Sequence, residues 1–195
     1  MYEERRILMQ PIFTIHAGEY LVGSYIEQNL KDNKGKRINV WLPSKDTGID
    51  LLLTNFDNFK ITSIQVKFSK DFLVTHGRKE YQRKLVSCGW WTLNREKIQN
   101  SKADFWIFVL HTFNNKNMQY VFLKPSELLA RMDKLHGNSK SLQSYLWVTD
   151  NNKCWETRGL KKKETDLIVS DSYKEASRNF TLYLNNWDSI INKLS

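Results

Sequence analysis

The chain has 195 residues, a formal charge of +9 and a pI near 9.5, a length that suits one domain with a core large enough to need no covalent staples. Its 41% apolar and 13% aromatic content excludes a disordered basic tail, and its 8 glycines and 3 prolines exclude collagen-like or low-complexity repeats. Two well-separated cysteines, Cys88 and Cys154, exclude a disulfide framework and a cysteine-rich zinc site.

Taken in chain order, Ile15–Leu30 is the first periodic segment: Leu21, Val22, Tyr25, Ile26 and Leu30 recur at helical spacing and predict an amphipathic helix. Gly18 and Gly23 weaken its propensity and point to close packing. Lys31–Lys36 is a polar turn with Gly35 as the helix stop. Arg37–Leu42, Gly48–Thr54 and Lys60–Ser69 read as strands. The third alternates, with Ile64, Val66 and Phe68 on one face and Ser63, Gln65, Lys67 and Ser69 on the other. Turn-forming Asn55–Phe59 makes the second and third strands a hairpin.

Lys70–Asn100 reads as loop and short helix, with Gly89-Trp90-Trp91 inside it. Ala103–Thr112 is expected to be a strand buried on both faces, and Gln119–Leu123 another strand. Ser126–Leu135 is an expected helix with Ser126 as N-cap and Gly137 as stop. Beyond it, Tyr145–Val148 reads as a short strand and Glu175–Asn186 as a helical segment. The natural packing is a mixed α/β (α+β) fold, a central mixed sheet flanked by helices. The expected organisation is one domain, with a core over about residues 12–136 and an annex over 137–195.

Four polar residues stand where the pattern needs them least. Asp50 interrupts the apolar strand Ile49–Leu53, Gln65 and Lys67 share one face of the next strand, and Glu19 precedes the apolar run of the first helix. With a two-residue turn at Asp57-Asn58, paired positions sum to 115, which sets Asp50 opposite Gln65 and makes Phe56 and Phe59 a flanking pair. A one-residue slip would turn Asp50 to the other face. A carboxylate beside a carbonyl oxygen makes a hard-oxygen pocket suited to Mg²⁺, and a neighbouring lysine can orient water or balance charge on a phosphate. On a basic surface that is machinery for cutting nucleic acid. The same residues also suit a strand end and a wet sheet face.

Glu19 in the first helix, Gly48-Ile49-Asp50 and Gln65-Val66-Lys67 together resemble the PD-(D/E)xK nuclease superfamily, over roughly residues 15–125. That superfamily includes many restriction endonucleases, archaeal Holliday-junction resolvases and repair nucleases. The resemblance implies a restriction-endonuclease-like core and a metal-dependent DNA endonuclease using Mg²⁺, with Mn²⁺ as a substitute. It implies that Asp50 takes the metal-binding aspartate's role, that Lys67 takes the catalytic lysine's role, and that Glu19 completes the metal shell. It also implies that Val66 offers its backbone carbonyl. Two positions depart from the pattern: Ile49 stands where proline is common, and Gln65 stands where Glu or Asp is usual, a QxK variant. Gln65 supplies one neutral oxygen, which lowers metal affinity and favours a single ion. The alternatives are a nucleic-acid-binding module on the same fold with weak or no catalysis, and a basic interaction protein with no nucleic-acid role.

The excess charge sharpens this reading. Between Lys60 and Lys102 ten bases meet only Asp71, Glu80 and Glu96, so the stretch is expected to line a phosphate-binding cleft. Lys70, His76, Arg78, Lys79, Arg83 and Lys84, with Lys161, Lys162 and Lys163, are the expected DNA contacts, which position without specifying sequence. His76 and the lysine run also suit solvated loops, and Trp90-Trp91 suits either base stacking or core and dimer packing. Cutting both strands of a duplex with one site per chain favours a homodimer or higher homo-oligomer. The reducing cysteine usage, with no targeting segment in MYEERRILMQPIFTIHAGEY and no membrane-length apolar run, implies a cytoplasmic protein with no membrane partner.

Overall fold

The computed structural model describes residues 11–45, 47–112 and 117–195; the first ten residues, part of the stretch searched for a targeting signal, lie outside them. Helix α1 (Pro11–Asn29) opens on a proline, which costs no intrahelical bond in the first turn. It buries Val22 and Ile26 on one side. Strands β1 (Asn39–Trp41), β2 (Leu51–Thr54) and β3 (Ile61–Phe68) follow as an antiparallel meander. Strand β5 (Phe105–Thr112) then pairs parallel to β3, and β6 (Asn117–Leu123) pairs antiparallel to β5. The result is a mixed sheet flanked by helices, as expected, with five strands in the order β1-β2-β3-β5-β6.

One face of this sheet carries Leu51, Leu53, Ile64, Val66, Phe105, Ile107 and Val109. It is covered by α1 and by the C-terminal helix α6 (Asp188–Leu194), which adds Ile190 and Leu194 to that core. The other face carries Trp106, Phe108 and Leu110 on β5 and Val121 and Leu123 on β6. A second sheet packs against these, in the order β4 (Leu85–Asn94), β7 (Ser141–Thr149), β8 (Cys154–Glu156). Strand β5 is thus buried on both faces, as expected. The second sheet's far side packs Leu85, Cys88, Trp147 and Trp155 against α2 (Lys79–Lys84) and α5 (Lys162–Val169). Residues 137–195 therefore supply two strands of one sheet and a helix over the other.

Several expectations need correction. Lys70–Asn100 is not only loop and short helix: it holds β4, the longest described strand, between α2 and the short helix α3 (Arg95–Gln99). Gly89 lies under the indole of Trp91, which a Cβ at this position would meet, so glycine suits this strand position. Strand β4 also pairs with β7, far along the chain, so no local hairpin signal announces it. Helix α4 (Pro125–His136) is capped by Lys124, not Ser126, because Pro125 takes the first helical position and Glu127 accepts the Lys124 N–H at 3.0 Å. Gly137, at φ +64°, is its stop.

Glu175–Asn186 forms two single 3₁₀ turns in place of a longer helix. The Asn179 side chain accepts the Thr181 N–H at 2.9 Å, local competition that stops a helix from propagating, and Asn185 accepts the Tyr120 N–H at 2.9 Å, a long-range bond that ties the segment to β6. Among the described residues no helix is long and apolar enough to cross a membrane.

Candidate active site

The second sheet leaves part of the five-stranded sheet uncovered. Where the end of β3 faces the last residues of β4 and α3, a cleft of about 910 Å³ opens, and Glu19, Asp50, Gln65, Val66 and Lys67 all line it. Three separate devices bring them there, and a fourth builds the opposite wall.

The first is the alternation of β3. Gln65 pairs with Trp106 and Lys67 with Phe108, so both point toward the second sheet, away from α1. The Lys67 ammonium lies 5.0 Å above the Trp106 ring, which fixes its reach over the cleft floor.

The second is the hairpin register. Leu51↔Ile64, Leu52↔Ser63, Leu53↔Thr62 and Thr54↔Ile61 keep the expected sum of 115. The turn itself is longer than expected: the Asn55 N–H donates to the Lys60 carbonyl at 3.2 Å, and Asn58 takes a positive φ of 59° inside the loop. The ladder departs from the expected pairing at Asp50. Its N–H donates to the Ile64 carbonyl at 2.8 Å, and its Oδ2 accepts the Val66 N–H at 2.6 Å. Asp50 thus stands just before β2 and caps the exposed edge of β3. The Val66 N–H and C=O project to the same side of the strand, so the carbonyl also points past the end of β2.

The third is Gly18. A Cβ there would stand 2.7 Å from Phe68 Cβ and 3.2 Å from Val66 Cγ1, so only glycine lets α1 lie this close to β3. This close approach positions the next residue, Glu19, to reach around the strand end to the cleft. Its side chain is mostly buried, 21% exposed, with His16 Nδ1 at 3.4 Å from its Oε2.

The fourth is the far wall, of which sequence reasoning expected only Lys97 and Lys102, as members of the basic stretch. Trp91 and Leu93 on β4, and Asn94, Glu96, Lys97, Asn100, Ser101 and Lys102 around α3, face the β3 residues across the cleft. Asn94 is the α3 N-cap, accepting the Lys97 N–H at 3.0 Å, and this capping turn sets where Lys97 stands. For the uncharged wall residues the signal was a polar run after an aromatic pair.

Of the ten bases between Lys60 and Lys102, only Lys67, Lys97 and Lys102 line the cleft. They are matched there by Glu19, Asp50 and Glu96, so the expectation that the whole stretch lines a phosphate cleft is corrected. The remaining candidates lie elsewhere. Arg78 pairs with Asp166 at 3.0 Å and Lys84 with Asp150 at 3.0 Å. Lys79 and Arg83 are exposed on α2, Lys161 to Lys163 are exposed at the start of α5, and Lys70 is exposed just beyond β3. Helix α2 enters β4 at Leu85, and the cleft lies at its other end, roughly 20 Å away by strand rise.

His76 is not a loop residue facing solvent. Its Nε2 stands 3.1 Å from the Tyr145 hydroxyl and 3.6 Å from Cys88 Sγ, and its ring packs edge-on to Trp147. Burial lowers its pKa, which favours the neutral ring, and its Nε2 is turned inward to Tyr145 and Cys88.

No family model, curated protein or solved structure matches this chain. The chemistry of the cleft therefore rests on its own donors. Among the described residues no group of three or more His, Cys, Asp and Glu side chains is placed to hold a metal ion. The cleft instead offers the carboxylates of Glu19 and Asp50 on its β3 side and of Glu96 on its far wall, with the Gln65 amide oxygen and Val66 also lining it; oxygen donors of this kind are the ones a hard divalent cation takes.

Proposed function

We propose that this protein is a metal-dependent endonuclease that hydrolyses DNA phosphodiester bonds, with the restriction-endonuclease-like core of the PD-(D/E)xK superfamily. One observation carries the reading: Glu19 on α1, Asp50 just before β2, and Gln65 and Lys67 on β3 line a single cleft. Asp50, Gln65, the Val66 carbonyl and Glu19 would hold Mg²⁺, or Mn²⁺ in its place. When bound, the ion supplies charge neutralisation for the phosphate and a lower pKa for water.

The residues contribute as follows. The Val66 N–H holds the Asp50 carboxylate in one orientation. Lys67 Nζ, steadied over Trp106, orients the attacking water and balances charge on a non-bridging phosphate oxygen. Lys97 and Lys102 on the far wall grip the neighbouring phosphates.

Gln65 and the small number of carboxylates favour one further reading, a DNA-binding module on this fold without efficient hydrolysis. A cleavage assay on plasmid, branched and linear DNA with Mg²⁺ or Mn²⁺ separates the two, run beside Asp50→Asn and Lys67→Ala. Cleavage by the wild type alone is expected. Binding without any nicking selects the second reading, and equal cleavage by all three proteins rules out this site.

A further inference from the structure

Beyond the cleft, the same face of the five-stranded sheet runs on as a shelf through Ser63 and Leu52 to Trp41. Register puts Trp41 opposite Leu52, and Leu52 is two residues from Asp50, so Trp41 and Asp50 lie about 8 Å apart along the sheet by strand spacing. Further along the shelf, Ile61 is 58% exposed, and in the hairpin loop Phe59 is 86% and Phe56 53% exposed, while Trp41 itself is 51% exposed.

Trp41 is exposed but held. Its indole N–H donates to Thr54 Oγ1 at 3.1 Å, the Thr54 hydroxyl donates to Asn58 Oδ1 at 2.6 Å, and Asn39 Nδ2 donates to the same oxygen at 3.0 Å. Asn58 reaches this position through its left-handed backbone, φ 59°. A relay that fixes an exposed indole removes rotamer freedom before any ligand arrives, as a binding platform requires.

Cations border the shelf. The Lys36 ammonium lies 4.7 Å over the Phe56 ring and pairs with Asp57 at 3.4 Å, and Arg37 and Lys60, each flanking a strand of this hairpin region, are exposed. Aromatic faces alternating with cations match unpaired nucleobases on a phosphate backbone, and they do not match an apolar protein face.

We propose that the Trp41 shelf is a stacking platform for unpaired bases, so that the substrate is DNA with a single-stranded stretch next to the phosphate in the cleft. The inference rests on the endonuclease reading for the scissile phosphate, but the shelf can be tested without cleavage. The probe is a short fluorescent oligothymidylate bound to the full chain in EDTA, beside a duplex of equal length. The wild type binds the single strand more tightly. Trp41→Leu, apolar but without a π face, loses about five- to hundredfold in single-strand affinity, whereas Trp41→Phe keeps most of it. Circular dichroism melts of both variants establish that they are folded.

Equal single-strand binding by wild type and Trp41→Leu overturns the platform. So does a Trp41→Leu effect confined to sedimentation, which would make this face a contact between copies of the chain. Single-strand binding that depends on Trp41 in a protein that cuts no DNA keeps the platform and removes the nuclease. Cleavage that Asp50→Asn abolishes, with affinity indifferent to Trp41→Leu, does the reverse.

Discussion

The two ends of β4 carry cations in opposite ways. At its start, Arg78 and Lys84 are spent on Asp166 and Asp150, ion pairs that tie α2 to α5 and to the turn after β7. Exposed pairs of this kind contribute at most about 1 kcal/mol each. At its other end, Lys67, Lys97 and Lys102 stand around an open volume shared with Glu19, Asp50 and Glu96, contributed by elements remote in sequence. The density of basic residues along the chain therefore does not locate the cleft, where charge of both signs meets around open space.

The largest effect that would break this comparison is catalytic. Asp50→Asn keeps an acceptor for the Val66 N–H but loses the charge, and is expected to lower DNA cleavage on the order of 10²- to 10³-fold in a plasmid-nicking assay. Arg78→Ala and Lys84→Ala are expected to cleave within a few-fold of wild type. A larger loss from either would move the site to the α2 end.

The next effect is structural. In Gly18→Leu the new side chain meets Phe68 and Val66, and overpacking should cost about 1–3 kcal/mol in a urea titration, with α1 displaced and cleavage reduced. Gly23→Ala, whose Cβ would meet only Val40 Cγ1 at an ordinary 3.5 Å, should be neutral or stabilising.

A smaller effect comes from pH. Burial lowers the pKa of His76, behind β4, and of His111 on β5, where Asp71 opposes part of the shift. The folded state therefore binds fewer protons than the unfolded chain just below about pH 6.5, and stability falls as pH drops through that window. The urea midpoint should decline between about pH 7 and 5.5, and the decline should flatten in a His76→Gln, His111→Gln double variant. The smallest effect belongs to the ion pairs themselves: Arg78→Ala should shift the unfolding free energy by less than about 1 kcal/mol, less again in high salt.

The alternation Ile64, Val66, Phe68 against Gln65, Lys67 announced two faces of β3, and the interruption at Asp50 announced a residue that the core did not want. Position parity across the hairpin then set the register, because a slip would have buried Asp50. The helix stop at Gly137 and the doubly buried β5 were equally local, since each depends only on neighbours or on composition within one segment. What the sequence by itself determined is therefore the mixed sheet and the residue types on each face of its strands.

The tertiary structure alone decided the rest. The pairing of β4 with β7, the wall that α3 presents to β3, and the ion pairs that draw Arg78 and Lys84 away all join residues far apart in the chain. The relay that holds Trp41 depends on Asn58 taking a left-handed backbone in a loop of unexpected length. Such contacts form only after distant segments share one core, and periodicity within a segment carries no record of which distant segment will cover it and which part of its face will stay open.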